Sequence, residues 1–189
     1  MNKTYNLLLN PQRIGIIIYG SLYHHEGQLK DYLQKSYING PKLKISFMGC
    51  NPFKLNLTRV IDYKNGEYMQ TYVKLFDESL GIEQIKRYIA LREGNINYIT
   101  FYKFNTNELI NVPIHLLDYK NKIRSELKKV SKENKLDYIF FVTYPAKVEY
   151  PTKYLKKSSE DVLINTKKYL KKCNKDTLSK LESDILHYL

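Results

Sequence analysis

Tryptophan is missing from this chain, cysteine nearly so, and no apolar run is long enough to cross a membrane as a helix. The two cysteines, Cys50 and Cys173, lie far apart and outside any Cys-x-x-Cys spacing. They supply neither a disulfide framework nor a zinc site, and are expected to be buried free thiols. The first residues, Asn2, Lys3, Thr4 and Tyr5, lack the apolar stretch of a signal peptide, so a soluble, cytoplasmic protein with no membrane partner is expected. Also missing are the Gly-x-x-x-x-Gly-Lys-Ser/Thr phosphate loop, the Gly-x-Gly-x-x-Gly dinucleotide fingerprint and the Gly-x-Ser-x-Gly nucleophile elbow. Cys50 has no histidine context that would make it a nucleophile. Acidic residues are scarce: 19 of them face 31 Lys and Arg, leaving a net charge of +12.

What is present describes a globular domain. A length of 189 residues and 43% hydrophobic content are enough to bury a core. The positive charge is mostly lysine, densest from Lys120 to Lys135 and from Lys153 to Lys175, with acids such as Glu126, Glu133, Glu160 and Asp161 interspersed and few arginines. Interspersed charge of this kind is the pattern of a solvated face. A nucleic-acid surface is the competing and less favoured reading, since clustered Lys and Arg gain affinity by releasing counterions.

Periodicity sets out the elements. Ile14 to Ile18 is a continuous apolar run, expected as a central strand buried on both faces. A short helix is expected over Gln28–Tyr37, ended by Gly40 and Pro41. Leu43, Ile45 and Phe47 alternate with polar residues, as do Leu55, Leu57, Arg59 and Ile61, then Met69, Thr71, Val73 and Leu75. Lys64, Asn65 and Gly66 are expected as a hairpin turn using positive φ. A helix from Gly81 or Ile82 to Arg92 places Ile82, Ile85, Tyr88, Ile89 and Leu91 on one face, with Gly94 to end it. A strand over Tyr98–Phe104 and a turn at Asn105–Asn107 follow. Ile123, Leu127 and Val130 then stripe a lysine-rich helix. Tyr138–Val142 is a second fully apolar run, expected beside the first strand. Pro145 and Pro151 bracket a loop. The tail reads as two helices, the first opening at Ser158 with Asp161 three residues on and the second carrying Leu178, Leu181, Ile185 and Leu189. The order is that of an α+β domain with a largely antiparallel sheet and flanking helices.

Two segments can carry chemistry. Tyr19, Gly20, Ser21 and Leu22 form a turn directly after the first strand, whose backbone N–H groups suit an anionic or polarised ligand. The alternative is an ordinary strand-to-loop turn with Tyr19 buried. Glu93 lies in the last turn of a helix, where the macrodipole disfavours a carboxylate. A helix C-terminus and burial both favour a carboxyl's protonated form, which suits acid–base work. The alternative is a surface glutamate paired with Arg92 or Arg87. His24, His25 and Glu26 have no ligand spacing to His115 or His187, so no metal is expected.

Ile16-Ile17-Ile18-Tyr19-Gly20-Ser21-Leu22 followed by Leu91-Arg92-Glu93-Gly94 resembles the γ-glutamylcyclotransferase-like superfamily, in which a strand enters a Tyr-Gly-Ser loop and a later helix ends in a segment carrying the essential glutamate. Leu136 to Pro145 is similar to a late strand-and-proline segment of uncharacterised bacterial members. Where many family enzymes have Asn after Tyr-Gly-Ser, this chain has Leu22. The resemblance implies a small mixed, largely antiparallel β-barrel with flanking helices over residues 1–150, with residues 151–189 as a helical extension packed on the same domain. It implies a cofactor-free lyase that releases 5-oxoproline from a small-molecule γ-glutamyl amide. Glu93 would be the general acid and base, and Tyr19, Gly20, Ser21 and Leu22 would bind substrate. A non-catalytic protein of the same fold, engaging a small ligand, nucleic acid or an acidic partner, is the alternative.

Overall fold

The computed structural model describes residues 12–19, 22, 26–51, 56–144, 159–172 and 186–187. Gly20, Ser21, His24, His25, Pro145, Pro151, Ser158, Cys173, the side chain of Cys50 and most of the last tail helix lie outside the described residues.

Among the described residues seven strands form one sheet: β1 (Ile14–Ile18), β2 (Leu33–Asn51), β3 (Asn56–Ile61), β4 (Glu67–Phe76), β5 (Ile99–Lys103), β6 (Glu108–Ile110) and β7 (Tyr138–Val142). Their order is β3-β2-β4-β1-β7-β5-β6, and only β1 with β7 is parallel. The protein is thus mixed α+β with a mostly antiparallel sheet. Among the described residues β3 and β6 remain edges and no pairing closes the sheet.

All five residues of β1 are buried, because both faces of the sheet are covered. Helix α1 (Ile82–Glu93) lays Ile85 and Ile89 on one face, against Ile14, Ile16, Ile18, Phe140 and Val142. Helix α2 (Lys120–Asn134) lays Ile123, Leu127 and Val130 on the other, against Ile17, Val73, Ile139 and Phe141. Each such side chain taken fully from water contributes about 1.5–3 kcal/mol of transfer free energy. Helix α3 (Ser159–Leu170) rests on the edge strand β3 and buries Leu170.

Several expectations are corrected. The helix over Gln28–Tyr37 is a 3₁₀ turn at Gly27–Tyr32, after which the chain is already β2, pairing Leu33 with Phe76 and Tyr37 with Lys74. Gly40 and Pro41 do not break an element but sit where the β2–β4 register shifts, between Asn39 and Lys42. A bulge tolerates proline's missing N–H, and Thr71 Oγ1 donates to Pro41 O at 2.6 Å. The turn at Lys64–Gly66 does not make a hairpin, since β3 and β4 pair on opposite sides of β2. Gly66 has no positive φ; it is needed because a Cβ there would lie 2.4 Å from Asp62 O and 2.8 Å from the Ile45 backbone. Leu91, placed on the apolar face of α1, is 68% exposed.

Candidate active site

Because β1 and β7 run parallel, their C-terminal ends lie side by side at the same end of the sheet. Tyr19 follows β1 directly, and Tyr144 lies two residues beyond β7. The end of β7 is fastened to the start of β5: Thr143 N donates to Tyr98 O at 2.6 Å, and the Thr143 and Thr100 hydroxyls bond at 2.8 Å. Tyr144 is set against Tyr98, ring centroids 5.3 Å apart. The hydroxyl of buried Tyr19 donates across to the carbonyl oxygen of Val142.

The C-terminus of α1 comes to the same place. Gly94, with φ 76°, ends the helix in the left-handed conformation and donates its N–H to Ala90 O at 2.8 Å. The helix therefore stops at Glu93, whose side chain is only 3% exposed. Of the alternatives open to a helix-terminal glutamate, the Arg92 pair is present: Arg92 Nη1 donates to Glu93 Oε1. The surface part of that reading is not, and the other carboxylate oxygen, Oε2, accepts from the Tyr144 hydroxyl. Arg92 also lies along Gly27, whose missing Cβ would come within 3.9 Å of its Cγ and Nε.

The electrostatics follow from crowding. Burial, then the charge of Glu93 and the bond to it, push the Tyr144 phenol far above its usual range. Burial, then Tyr144 and Glu93, do the same to Tyr19. Both phenols therefore stay protonated at ordinary pH and act as donors. Within this cluster Glu93 supplies the carboxylate that both Arg92 and Tyr144 reach.

Glu93 and Tyr19, 74 positions apart in the chain, are thus close enough to interact electrostatically. Leu22 is 3% exposed and packs into the α1-side core. Glu26, the described member of the His24-His25-Glu26 run, pairs with Lys74. Sequence reasoning missed Tyr144 and Tyr98 as members of the site. One signal was available for Tyr144: it lies just past the end of the apolar run expected beside β1.

A second polar cluster lies elsewhere. Asp62, 5% exposed, accepts from Lys64 N at 2.9 Å, Asn65 N at 3.1 Å, Asn65 Nδ2 at 3.1 Å and Ser46 Oγ at 3.0 Å. Burial opposes its charge, yet the bonds from Asn65, Ser46 and Lys64 hold its pKa below the usual value. Burial pushes the nearby His115 imidazole down, against a hydrogen bond with Ile61 and the charge of Asp62. His115 Nε2 is buried without a hydrogen-bond partner among the described residues.

Compared with protein-family models, with curated proteins and with solved structures, the chain shows no significant match to any of them.

Proposed function

We propose that the protein is a γ-glutamylcyclotransferase-like lyase that closes a γ-glutamyl amide to 5-oxoproline and releases the amine. The observation that carries this reading is the Glu93 carboxyl, shielded from water, held by Tyr144, and near Tyr19 at the end of β1. The substrate's own α-amine attacks its γ-carbonyl, so the five-membered ring forms with proximity built in. Glu93 takes a proton from the amine and returns it to the leaving nitrogen. Backbone N–H groups of Tyr19, Gly20, Ser21 and Leu22 hold the α-carboxylate and the developing oxyanion. Each oxygen of Glu93 already accepts one bond, from Arg92 or from Tyr144, and keeps a second lone pair for the substrate's amine.

No cofactor enters this scheme, and the reading places the protein in the cytoplasm. It takes the seven-stranded sheet as the counterpart of the family's small mixed β-barrel. The test is 5-oxoproline release from γ-glutamyl dipeptides, γ-glutamyl amines and glutathione, with Glu93→Gln alongside. Release that vanishes in the variant supports the proposal. A folded protein that releases nothing from the panel, yet binds these compounds equally well before and after the Glu93→Gln substitution, turns the reading to a non-catalytic binder.

A further inference from the structure

Helix α2 carries Lys120, Lys122, Arg124, Lys128, Lys129 and Lys132 against only Glu126 and Glu133. Its apolar stripe is spent on the core, and all five lysines are exposed. Lys122 and Glu126, like Lys129 and Glu133, have the i,i+4 spacing of helix ion pairs. Neither pair forms among the described residues, where Lys74–Glu26, Lys86–Glu83 and Arg92–Glu93 do. A solvated, salt-laced helix would use those acids. This one sends Lys122 elsewhere, over the ring of Tyr68, with Nζ 5.1 Å from the centroid.

Tyr68 is half exposed, and Lys44, its register partner on β2, lies over the same ring at 5.6 Å. A half-exposed ring with two ammonium groups within about 6 Å of its centroid combines an aromatic surface for base stacking with cations for a phosphate backbone. Beneath it, Tyr63 is 4% exposed and stacks on Tyr119 at 5.3 Å. Its hydroxyl has no hydrogen-bond partner among the described residues and lies near Tyr68 and Glu126.

We propose that this face, built from α2 and the paired strands β2 and β4 around Tyr68, binds single-stranded nucleic acid, with its lysines along the backbone and Tyr68 under an unpaired base. A single strand is favoured over a duplex because one exposed ring can stack only on a base that is not already stacked and paired. The site is independent of Glu93 and does not rest on the lyase reading.

Fluorescence anisotropy with a labelled oligothymidylate of about 20 nucleotides tests it, between about 50 and 200 mM salt. Tyr68→Ala is expected to weaken binding about tenfold. The double variant Lys44→Glu/Lys122→Glu should weaken it more and flatten the salt dependence. Lys167→Glu/Lys168→Glu, an equal charge change on α3, should shift affinity less than about threefold if the local face rather than overall charge is responsible. Circular dichroism checks that each variant is folded, and Lys122→Ala is the milder substitute should a charge reversal disturb α2. Absence of binding at low salt overturns the proposal, as does equal weakening by the α3 variant. So does duplex binding as tight as single-strand binding with Tyr68→Ala silent. Ile114 and Leu117 are exposed just before α2, so phosphatidylserine vesicles are included; retention on vesicles without oligonucleotide binding also overturns it.

Discussion

The last residue of α1 and the first turns of α2 both carry charge of the sign the helix dipole disfavours, but the two ends treat it differently. Glu93 at the negative end of α1 is buried and held by Arg92 and Tyr144. Lys120 and Lys122 at the positive end of α2 are exposed, and no acidic residue occupies the first turn. A charge set against a dipole loses about 0.3–1 kcal/mol near the surface. Specific partners can offset that inside the protein, whereas solvent only screens it. The buried arrangement holds one carboxylate between two donors. The exposed one leaves its cations facing solvent, where a charged partner can reach them.

Removing the buried charge should have the largest effect. Glu93→Gln keeps an acceptor for Tyr144 but cannot take a proton, and on the proposed mechanism should lower 5-oxoproline release about 10²–10⁴-fold. It should also lower unfolding free energy by about 1–3 kcal/mol, because Arg92 loses a charged partner away from water. Chemical denaturation separates this from the activity loss. Full activity with normal stability would remove Glu93 from the chemistry. Tyr144→Phe comes next. It deletes a hydrogen bond to a carboxylate, worth about 1.5–3 kcal/mol, and should cost stability of that order while leaving Glu93 to react. Activity should fall less than in Glu93→Gln, with a changed pH profile. A Tyr144→Phe variant that loses stability but keeps full activity and an unchanged profile would make the hydroxyl merely structural.

The buried end was the more legible of the two in the chain itself. Ile14–Ile18 and Tyr138–Val142 are unbroken apolar runs, and a strand covered on both faces has no other way to be written. Gly94 marks where α1 ends, and so places Glu93. What stayed hidden depends on pairing, which local periodicity does not encode. Gly40 and Pro41 have the composition of a break but lie in a bulge, because β4 supplies partners on either side of them. Lys64 to Gly66 has hairpin composition, yet β2 runs between the strands it joins. β6 is three residues long, too short for alternation to register. Tyr144 carried no local mark among 18 tyrosines, and only its place beyond β7 gives it meaning. The exposed end was legible as charge alone. That Lys44 and Lys122 meet at Tyr68 is a fact of tertiary structure.

The Asp62–His115 cluster offers a milder contrast with Glu93: burial here disfavours a charge that no mechanism uses. His115 has its pKa lowered from 6.5 in the folded protein, so below that value the unfolded chain binds the proton more readily. Its contribution is therefore lost as pH falls through about 6.5. Asp62, also depressed, adds a loss only at lower pH, as its carboxylate is protonated. Melting temperature should decline from about pH 7.5 towards about pH 5, and His115→Gln should flatten that decline without touching the step at lower pH. An unchanged slope in the variant would assign the acid sensitivity to other groups.

The smallest effect is the one that separates the two helix ends most sharply. Lys120→Glu reverses a charge at the positive end of α2, where a carboxylate is favoured and the exposed lysine makes no ion pair among the described residues. Stability should rise by about 0.3–1 kcal/mol, read as a small increase in denaturation midpoint. Oligonucleotide affinity should fall in the same variant, because α2 loses a cation. At α1 one substitution should lower stability and, on the proposed mechanism, activity together, since charge and partners form a single buried unit. At α2 a change that helps the fold should harm binding. A Lys120→Glu variant that is more stable and binds no worse would leave the lysines a solvated surface, with α2 merely tolerating its own unfavourable dipole.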